Sequence, residues 1–195
     1  MSGGLDSGLW HVMRYLDYDD KIIRILESLY RNTMSAVRLD GGLSDWFPTV
    51  VGVLQSCVLS PLLFNILLEV VMMLALGQND IGVCVNGSVI SSLRFADDIS
   101  LLSDSDHGLQ LIVNKVNPST NRFGLTMSLV KTEVQVVGRD TSQIEMHTKI
   151  GNSEVKQVQE FVYLGGTICS DATCDKDISR RTGIASGVAR RFEKI

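Results

Sequence analysis

Two adjacent aspartates, Asp97 and Asp98, stand between two apolar, strand-forming runs, 89–95 and 99–102. No other feature of the chain constrains its folding as tightly. Neighbouring carboxylates repel each other, so strands that flank them must deliver them to a turn in water or to a bound cation. A hairpin with both acids at its tip meets that demand. Magnesium is the natural cation, because it takes oxygen ligands and is commonly held by one or two carboxylates together with substrate phosphates; manganese is the substitute. The same two residues also suit a plain solvated turn, in which aspartate is common.

The flanking sequence reads as helices and hairpins in alternation. Residues 9–16 form the end of a helix, and Asp19 caps a second one whose Ile22, Leu26, Leu29 and Tyr30 recur at helical spacing. Strands are predicted over 36–39 and 46–51, around the turn Asp40-Gly41-Gly42. Ser60 is placed to cap a helix with Pro61 at its first position, where a missing N–H costs nothing. Strands over 81–85 and 89–95 flank Asn86-Gly87, a strong type I′ signal, and the second leads straight into the acids. Ser105 or Asp106 caps a helix carrying Leu109, Ile112, Val113 and Val116, which Pro118 is expected to break or kink at a cost of about 3 kcal/mol. Strands over 134–137 and 161–168 follow, then a helix with Ile178, Thr182, Ala185, Val188 and Phe192 on one face.

Composition narrows the function classes. A chain of 195 residues with 45% hydrophobic content can bury one sizeable core and is not a disordered segment. With 18 basic and 22 acidic residues its net charge is −4, which argues against strong nonspecific adhesion to nucleic acid over the whole surface. The one basic cluster is Arg180, Arg181, Arg190, Arg191 and Lys194. Cys57, Cys84, Cys169 and Cys174 lack paired zinc-type spacing and read as reduced thiols of an intracellular protein, in nucleus or cytoplasm. The apolar run 62–76 contains Asn65 and Glu69 and is too short to span a bilayer, so no membrane is expected as a partner.

Five pieces in collinear order carry a resemblance: the segment from Gly52 through Gln55 and Ser60-Pro61 to Phe64-Asn65, then Phe95-Ala96-Asp97-Asp98, Phe123-Gly124-Leu125, Lys131-Thr132 and Tyr163-Leu164-Gly165-Gly166. Together they resemble the palm of reverse transcriptases, in particular the non-LTR (LINE-type) retrotransposon enzymes, from Leu9-Trp10 to Phe192. The resemblance implies an α+β fold, a palm-like antiparallel sheet backed by helices. It implies a partial palm over 1–170, lacking the fingers and the first palm strand, and the start of a helical thumb or connection over 171–195. It implies RNA-templated DNA synthesis by two-metal nucleotidyl transfer, with RNA template, DNA primer and deoxynucleotides as partners. Asp97 and Asp98 match the catalytic, metal-holding pair, with Asp97 the principal ligand. Gln55, Ser60, Pro61, Phe64, Asn65 and Lys131 match the nucleotide and template side, and Tyr163, Leu164, Gly165 and Gly166 match the turn that holds the primer end.

Plainer roles stand beside these. Gln55 suits a polar loop, Lys131 a solvated one, and paired glycines any tight hairpin; Asn65 and Glu69, one helical turn apart, can satisfy each other or solvent. The chain also departs from the family. The counterpart of the family's earlier metal-binding aspartate falls at Ser2, and Asp6 reads as a terminal loop residue at the wrong spacing. Leu54 and Ser56 flank Gln55 where relatives carry Arg and Gly, which removes a cation and a flexible backbone position. The expectation is therefore a retrotransposon-derived remnant with little or no activity, prone to self-association through an unpaired sheet edge. The alternative is a non-catalytic module that docks nucleic acid or protein.

Overall fold

The computed structural model describes residues 5–31, 33–48, 57–77, 80–138 and 144–192. Two compact units divide the chain, Met1–Met127 and Ser128–Ile195. The first holds helices α1 (Leu5–Tyr15), α2 (Asp20–Tyr30), α3 (Ser60–Leu76) and α4 (Asp106–Arg122). Its strands are β1 (Met34–Ser35), β2 (Arg38–Leu39), β3 (Gly42–Leu43), β4 (Phe47–Pro48), β5 (Val83–Val85), β6 (Ser88–Ile90), β7 (Ser92–Phe95) and β8 (Asp98–Leu101). The second unit holds β9 (Glu133–Val134), β10 (Lys149–Ile150), β11 (Ser153–Glu154), β12 (Lys156–Gln157), β13 (Glu160–Tyr163), β14 (Gly166–Cys169) and α5 (Asp175–Phe192).

Helix α3 is apolar nearly all round because it is buried on two sides. One side joins Leu63, Leu67, Val70 and Val71 to Leu9, Val12 and Met13 of α1 and Ile23, Leu26 and Tyr30 of α2. The other joins Leu68, Met72 and Ala75 to Ile112 and Val116 of α4, with Ile99 and Leu101 of β8 packed on the same cluster. Each fully buried aliphatic side chain of this kind is worth about 1.5–3 kcal/mol, so α3 is the mechanical centre of the unit. On α2 the inward stripe is Ile23, Leu26 and Tyr30, whereas Ile22 and Leu29 are exposed. Helical spacing alone fits either register, and contact with α1 and α3 selects one.

The expected continuous sheet is not assembled among the described residues. Strands pair only two at a time, in seven two-stranded sheets, six antiparallel and one, β9 with β12, parallel. Mixed helix and small, mostly antiparallel sheets make the chain α+β. Some turns follow the sequence closely: Asn86 and Gly87 adopt φ 50° and 82° between β5 and β6, as a type I′ turn requires. The run 89–95, expected as one strand, divides into β6 and β7, because Ser91 leaves the first ladder and its carbonyl accepts from the Leu102 amide. The run 161–168 is likewise two strands around Leu164-Gly165.

The hairpin near Asp40 is also shorter than expected. β2 and β3 close around Asp40-Gly41, and β1 pairs with β4 further out. Between the ladders the Val37 amide donates to the Ser44 hydroxyl, so Ala36, Val37 and Trp46 lie outside strands. Residues 49–51 of the predicted strand lie outside the described residues.

Three helix boundaries depart from expectation. Ser60 does not cap α3; the N-cap position is Leu59, with no side-chain cap, and the Ser60 hydroxyl instead meets the Tyr30 hydroxyl at 3.1 Å in a buried contact. Asp6 lies in the first turn of α1, not in a loop. Pro118 sits inside α4, which continues to Arg122. The ring leaves the Asn114 carbonyl without its helical donor, and burial of Ile112, Val113, Val116 and Thr120 offsets that loss. Ser119 and Thr120 add hydroxyl bonds to the carbonyls of Lys115 and Asn117. Ser105, by contrast, caps α4 as expected, accepting from the Gly108 amide.

Candidate functional site

The β7–β8 hairpin brings both acids to an exposed tip. Its register pairs Ser92 with Leu101, Leu93 with Ser100, Arg94 with Ile99 and Phe95 with Asp98, leaving Ala96-Asp97 as the two-residue turn. Ala96 takes φ 52°, a left-handed conformation that costs a residue with a Cβ about 1 kcal/mol and that glycine usually occupies. Opposed residues of an antiparallel pair share a face. Ser92, Arg94, Ile99 and Leu101 therefore form the inner face, and Ile99 and Leu101 pack on the α3–α4 core. Leu93, Phe95, Asp98 and Ser100 form the outer face, where Phe95 is 63% exposed. Asp98 thus opens to solvent beside two uncovered apolar side chains, and Asp97 stands at the bend.

A second link fixes this hairpin. The Arg94 guanidinium Nη1 donates to Glu69 Oε2 of α3 at 2.8 Å. Glu69 is therefore partnered by β7 and not by Asn65, and the cation of Arg94 is drawn to the face opposite Asp98. Two adjacent carboxylates in water fit a hydrated magnesium ion, which keeps several waters and needs only one or two protein carboxylates. They do not fit a closed protein cage. Among the described residues no group of three or more His, Cys, Asp or Glu is arranged to hold a metal.

The other residues singled out by sequence fall into two sets. On α3, Ser60 is buried and bonded to Tyr30, Phe64 packs on the α3–α4 cluster, and Pro61 and Asn65 face solvent. Of this set, Phe64 packs on the cluster that also carries Ile99 and Leu101 of the acidic hairpin. Gln55 lies outside the described residues, as does Ser2. In the second unit, Lys131 is an exposed turn residue whose amide donates to the Ser128 carbonyl. The Tyr163 to Gly166 segment is the β13–β14 turn, with Leu164 and Gly165 at φ 49° and 79°, both in the region a type I′ turn demands.

Helix α5 contacts that turn through polar groups. The Thr167 amide donates to Asp177 Oδ1 at 2.9 Å, Arg181 Nε donates to Asp177 Oδ2 at 2.7 Å, Arg180 donates to the Gly165 carbonyl, and Arg181 Nη2 lies 3.5 Å from that carbonyl. The Thr167 amide first, and then the arginines, hold the Asp177 carboxyl below the usual carboxylate range. Two members of the basic cluster are thus committed within the unit. Lys176 pairs with Glu160, which raises the lysine pKa, and the α5 residues Ile178, Val188 and Phe192 are all exposed.

Sequence reasoning missed Arg94, Asp177 and Cys57. Asp177 with Arg180 and Arg181, at three- and four-residue spacing, was a legible helical ion-pair signal. Arg94, a cation inside an apolar strand, was a weaker one. Nothing in the sequence marked Cys57, whose thiol lies below its ordinary pKa chiefly through hydrogen bonding with the Leu59 backbone, aided by Ser60 and Tyr30. Among the described residues no helix is long and apolar enough to cross a membrane.

Comparison with known proteins agrees with the family resemblance. Residues 8–168 match the family described as reverse transcriptase (RNA-dependent DNA polymerase). A retrovirus-related Pol polyprotein from the type-1 retrotransposable element R2 of Nasonia vitripennis is 30% identical over 146 residues, which is 70% of this chain and 14% of that protein. Its type-2 R2 counterpart from Drosophila melanogaster is 25% identical over 82% of this chain and 16% of its own length. A transposon-derived protein of Caenorhabditis elegans is 28% identical over 50% of the chain, or 35% of that protein. The chain therefore spans only 14% to 16% of the two R2 polyproteins. With the match covering most of its residues, the chain belongs to the reverse transcriptase family, as a domain of the kind carried by non-LTR retrotransposable elements.

Proposed function

We propose that the Asp97-Asp98 tip is one side of a nucleotidyl-transfer centre, and that this chain alone performs little or no DNA synthesis. The observation that carries the first half is the tip itself: two acids on a rigid hairpin, open to solvent on one face and packed on a helical core on the other. RNA-templated DNA synthesis is the activity of the family. In that chemistry two divalent ions about 3.5–4 Å apart stabilise the attacking and leaving oxygens of an in-line displacement, and they need acids converging from more than one element. Asp97 and Asp98 would hold magnesium or manganese from one side, with Leu93 and Phe95 presenting apolar surface beside it. The second half is supported by Leu54 and Ser56 beside Gln55, where the family pattern carries Arg and Gly.

The remaining assignments follow the same reading. Gln55, Ser60, Pro61, Phe64, Asn65 and Lys131 serve the nucleotide and template side; Ser60 and Phe64 do so by shaping α3, since both point into contacts of their own. Tyr163 to Gly166 holds the primer end, and α5 begins a thumb-like helical segment. RNA template, DNA primer and deoxynucleotides are the partners. Self-association is a further expectation, because Leu39, Leu43 and Phe47 leave short, apolar, uncovered strands with the exposed Trp46 beside them.

Primer extension on poly(rA) with a DNA primer, in magnesium or manganese, tests both halves. Product no higher than that of the Asp97→Asn, Asp98→Asn double variant is expected. Clear synthesis dependent on the two aspartates would overturn the inactive reading, and titration calorimetry showing ion binding indifferent to them would remove the metal role. A non-catalytic docking module is the second reading, favoured by the uncovered α5 side chains. Partner recovery unchanged by deletion of residues 175–195 would reject that helix as the docking surface.

A further inference from the structure

We propose that α5 sets the position of the Leu164-Gly165 turn, with Asp177 as the positioning residue that fastens β14 to the helix while Arg180 and Arg181 grip the turn's carbonyl. The functional meaning rests on the reading that this turn holds a primer end; the mechanical claim does not. In an antiparallel ladder, pairs joined by hydrogen bonds alternate with pairs whose amides point outward. Tyr163 and Gly166 close the turn, so in the next pair, Val162 with Thr167, the Thr167 amide points away from β13. Asp177 Oδ1 accepts that outward amide at 2.9 Å. Its other oxygen takes Arg181 Nε at 2.7 Å, and Arg181 and Arg180 reach on to the carbonyl of Gly165, at the tip.

Five residues form the circuit: the Thr167 amide to the Asp177 carboxylate, that carboxylate to Arg181 and, at 3.7 Å, to Arg180, and Arg180 to the Gly165 carbonyl, with Arg181 Nη2 3.5 Å from the same oxygen. Charge-assisted bonds of this type are roughly twice as strong as neutral ones. The helix adds to it, because Asp177 lies in the first turn of α5, where a negative charge is favoured. None of the described α5 residues is buried, so apolar burial of the helix adds little to this link. The depressed Asp177 pKa is consistent with a carboxylate engaged from several sides. The turn therefore moves with the first two turns of α5, and a displacement of that helix shifts whatever the turn holds.

Amide exchange in the full chain is the direct test, with wild type, Asp177→Ala, Asp177→Asn and Arg181→Gln compared. Thr167 loses its acceptor outright in the alanine variant, so the decisive amides are those of the closing pair, Tyr163 and Gly166. Expected is exchange at least fivefold faster there for Asp177→Ala, less for Asp177→Asn, which keeps an oxygen for Thr167, with Val155 and Val158 near the β9–β12 pair unchanged. Unchanged closing-pair exchange, or acceleration of equal size at Val155 and Val158, overturns the proposal. If the alanine variant fails to fold, Asp177→Asn and Arg181→Gln are judged by the same two criteria.

The functional arm uses fluorescence anisotropy with a labelled primer–template that has a recessed 3′ end. Asp177→Ala should weaken its binding threefold to tenfold and leave single-stranded template binding within twofold. Equal affinities for wild type and variant overturn the functional arm. Wild-type binding by a Tyr163→Ala, Leu164→Ala double variant sinks the primer reading of the turn instead, and exchange that still responds to Asp177 then upholds the mechanical claim alone.

Discussion

The acidic hairpin β7–β8 and the glycine hairpin β13–β14 solve one problem by different physics. Each is an isolated two-stranded ribbon with a two-residue turn, which is marginal in water without something to lean on. The first leans on oil: Ile99 and Leu101 rest on the α3–α4 core, and a single ion pair, Arg94 with Glu69, trims its orientation. The second leans mainly on polar groups: Asp177, Arg180 and Arg181 of a helix with no buried residue, and the Gln135 side-chain amide, which donates to the Gln159 and Ile168 carbonyls. Hydrophobic support is neither titrated by pH nor screened at moderate ionic strength, whereas charged support is both. An acid-bearing tip is thereby held under all ordinary conditions, and the glycine turn is left adjustable.

The largest test of that contrast is to remove the oil. Ile112 is fully buried beneath β8, and Ile112→Ala should destabilise the first unit by about 2–5 kcal/mol in urea unfolding. Exchange protection should fall across β7–β8, with β13–β14 retaining its own. The turns themselves come next. Gly165→Ala forces a side chain into φ 79° and should cost about 1 kcal/mol, while Ala96→Gly relieves φ 52° and should be neutral to stabilising by up to about 1 kcal/mol, both read from denaturation midpoints.

Smaller still is Glu69→Gln. Both partners of the ion pair are substantially exposed, so the loss should stay within about 0.2–1 kcal/mol, confirming that packing holds the first hairpin. A loss several times larger would make it, too, a charge-supported element. The last effect is local. Asp177 has a folded pKa below the ordinary aspartate value of about 3.9, so its contribution is complete above that value and disappears as pH falls through the lower folded one. The Thr167 amide resonance should follow that titration, with β7–β8 core resonances moving less.

Much of this contrast was legible in the sequence, and the remainder was hidden for identifiable reasons. Asn86-Gly87, the Ser105 cap and the acid-bearing tip are local signals, decided by a few neighbouring residues. Ser60 was misread because its hydroxyl is claimed by Tyr30, thirty residues away, and local capping rules are blind to such a competitor. Pro118 was expected to interrupt a helix that tertiary burial carries through. The face of α2 could not be assigned from spacing, since Ile22 and Ile23 both fit a helical stripe. Glu69 looked like a partner for Asn65 because a helix shows its own neighbours in sequence, and a strand 25 residues on does not announce itself.

One consequence belongs to Cys57, just ahead of α3. Four free thiols are present, but this one is held toward its ionised form by hydrogen bonding, while burial pushes Cys169 the other way. Thiolates, not thiols, attack electrophiles. An iodoacetamide dye near neutrality should thus mark the entrance to α3 ahead of the buried Cys169, giving a spectroscopic reporter beside the Tyr30–Ser60 contact without any engineered cysteine.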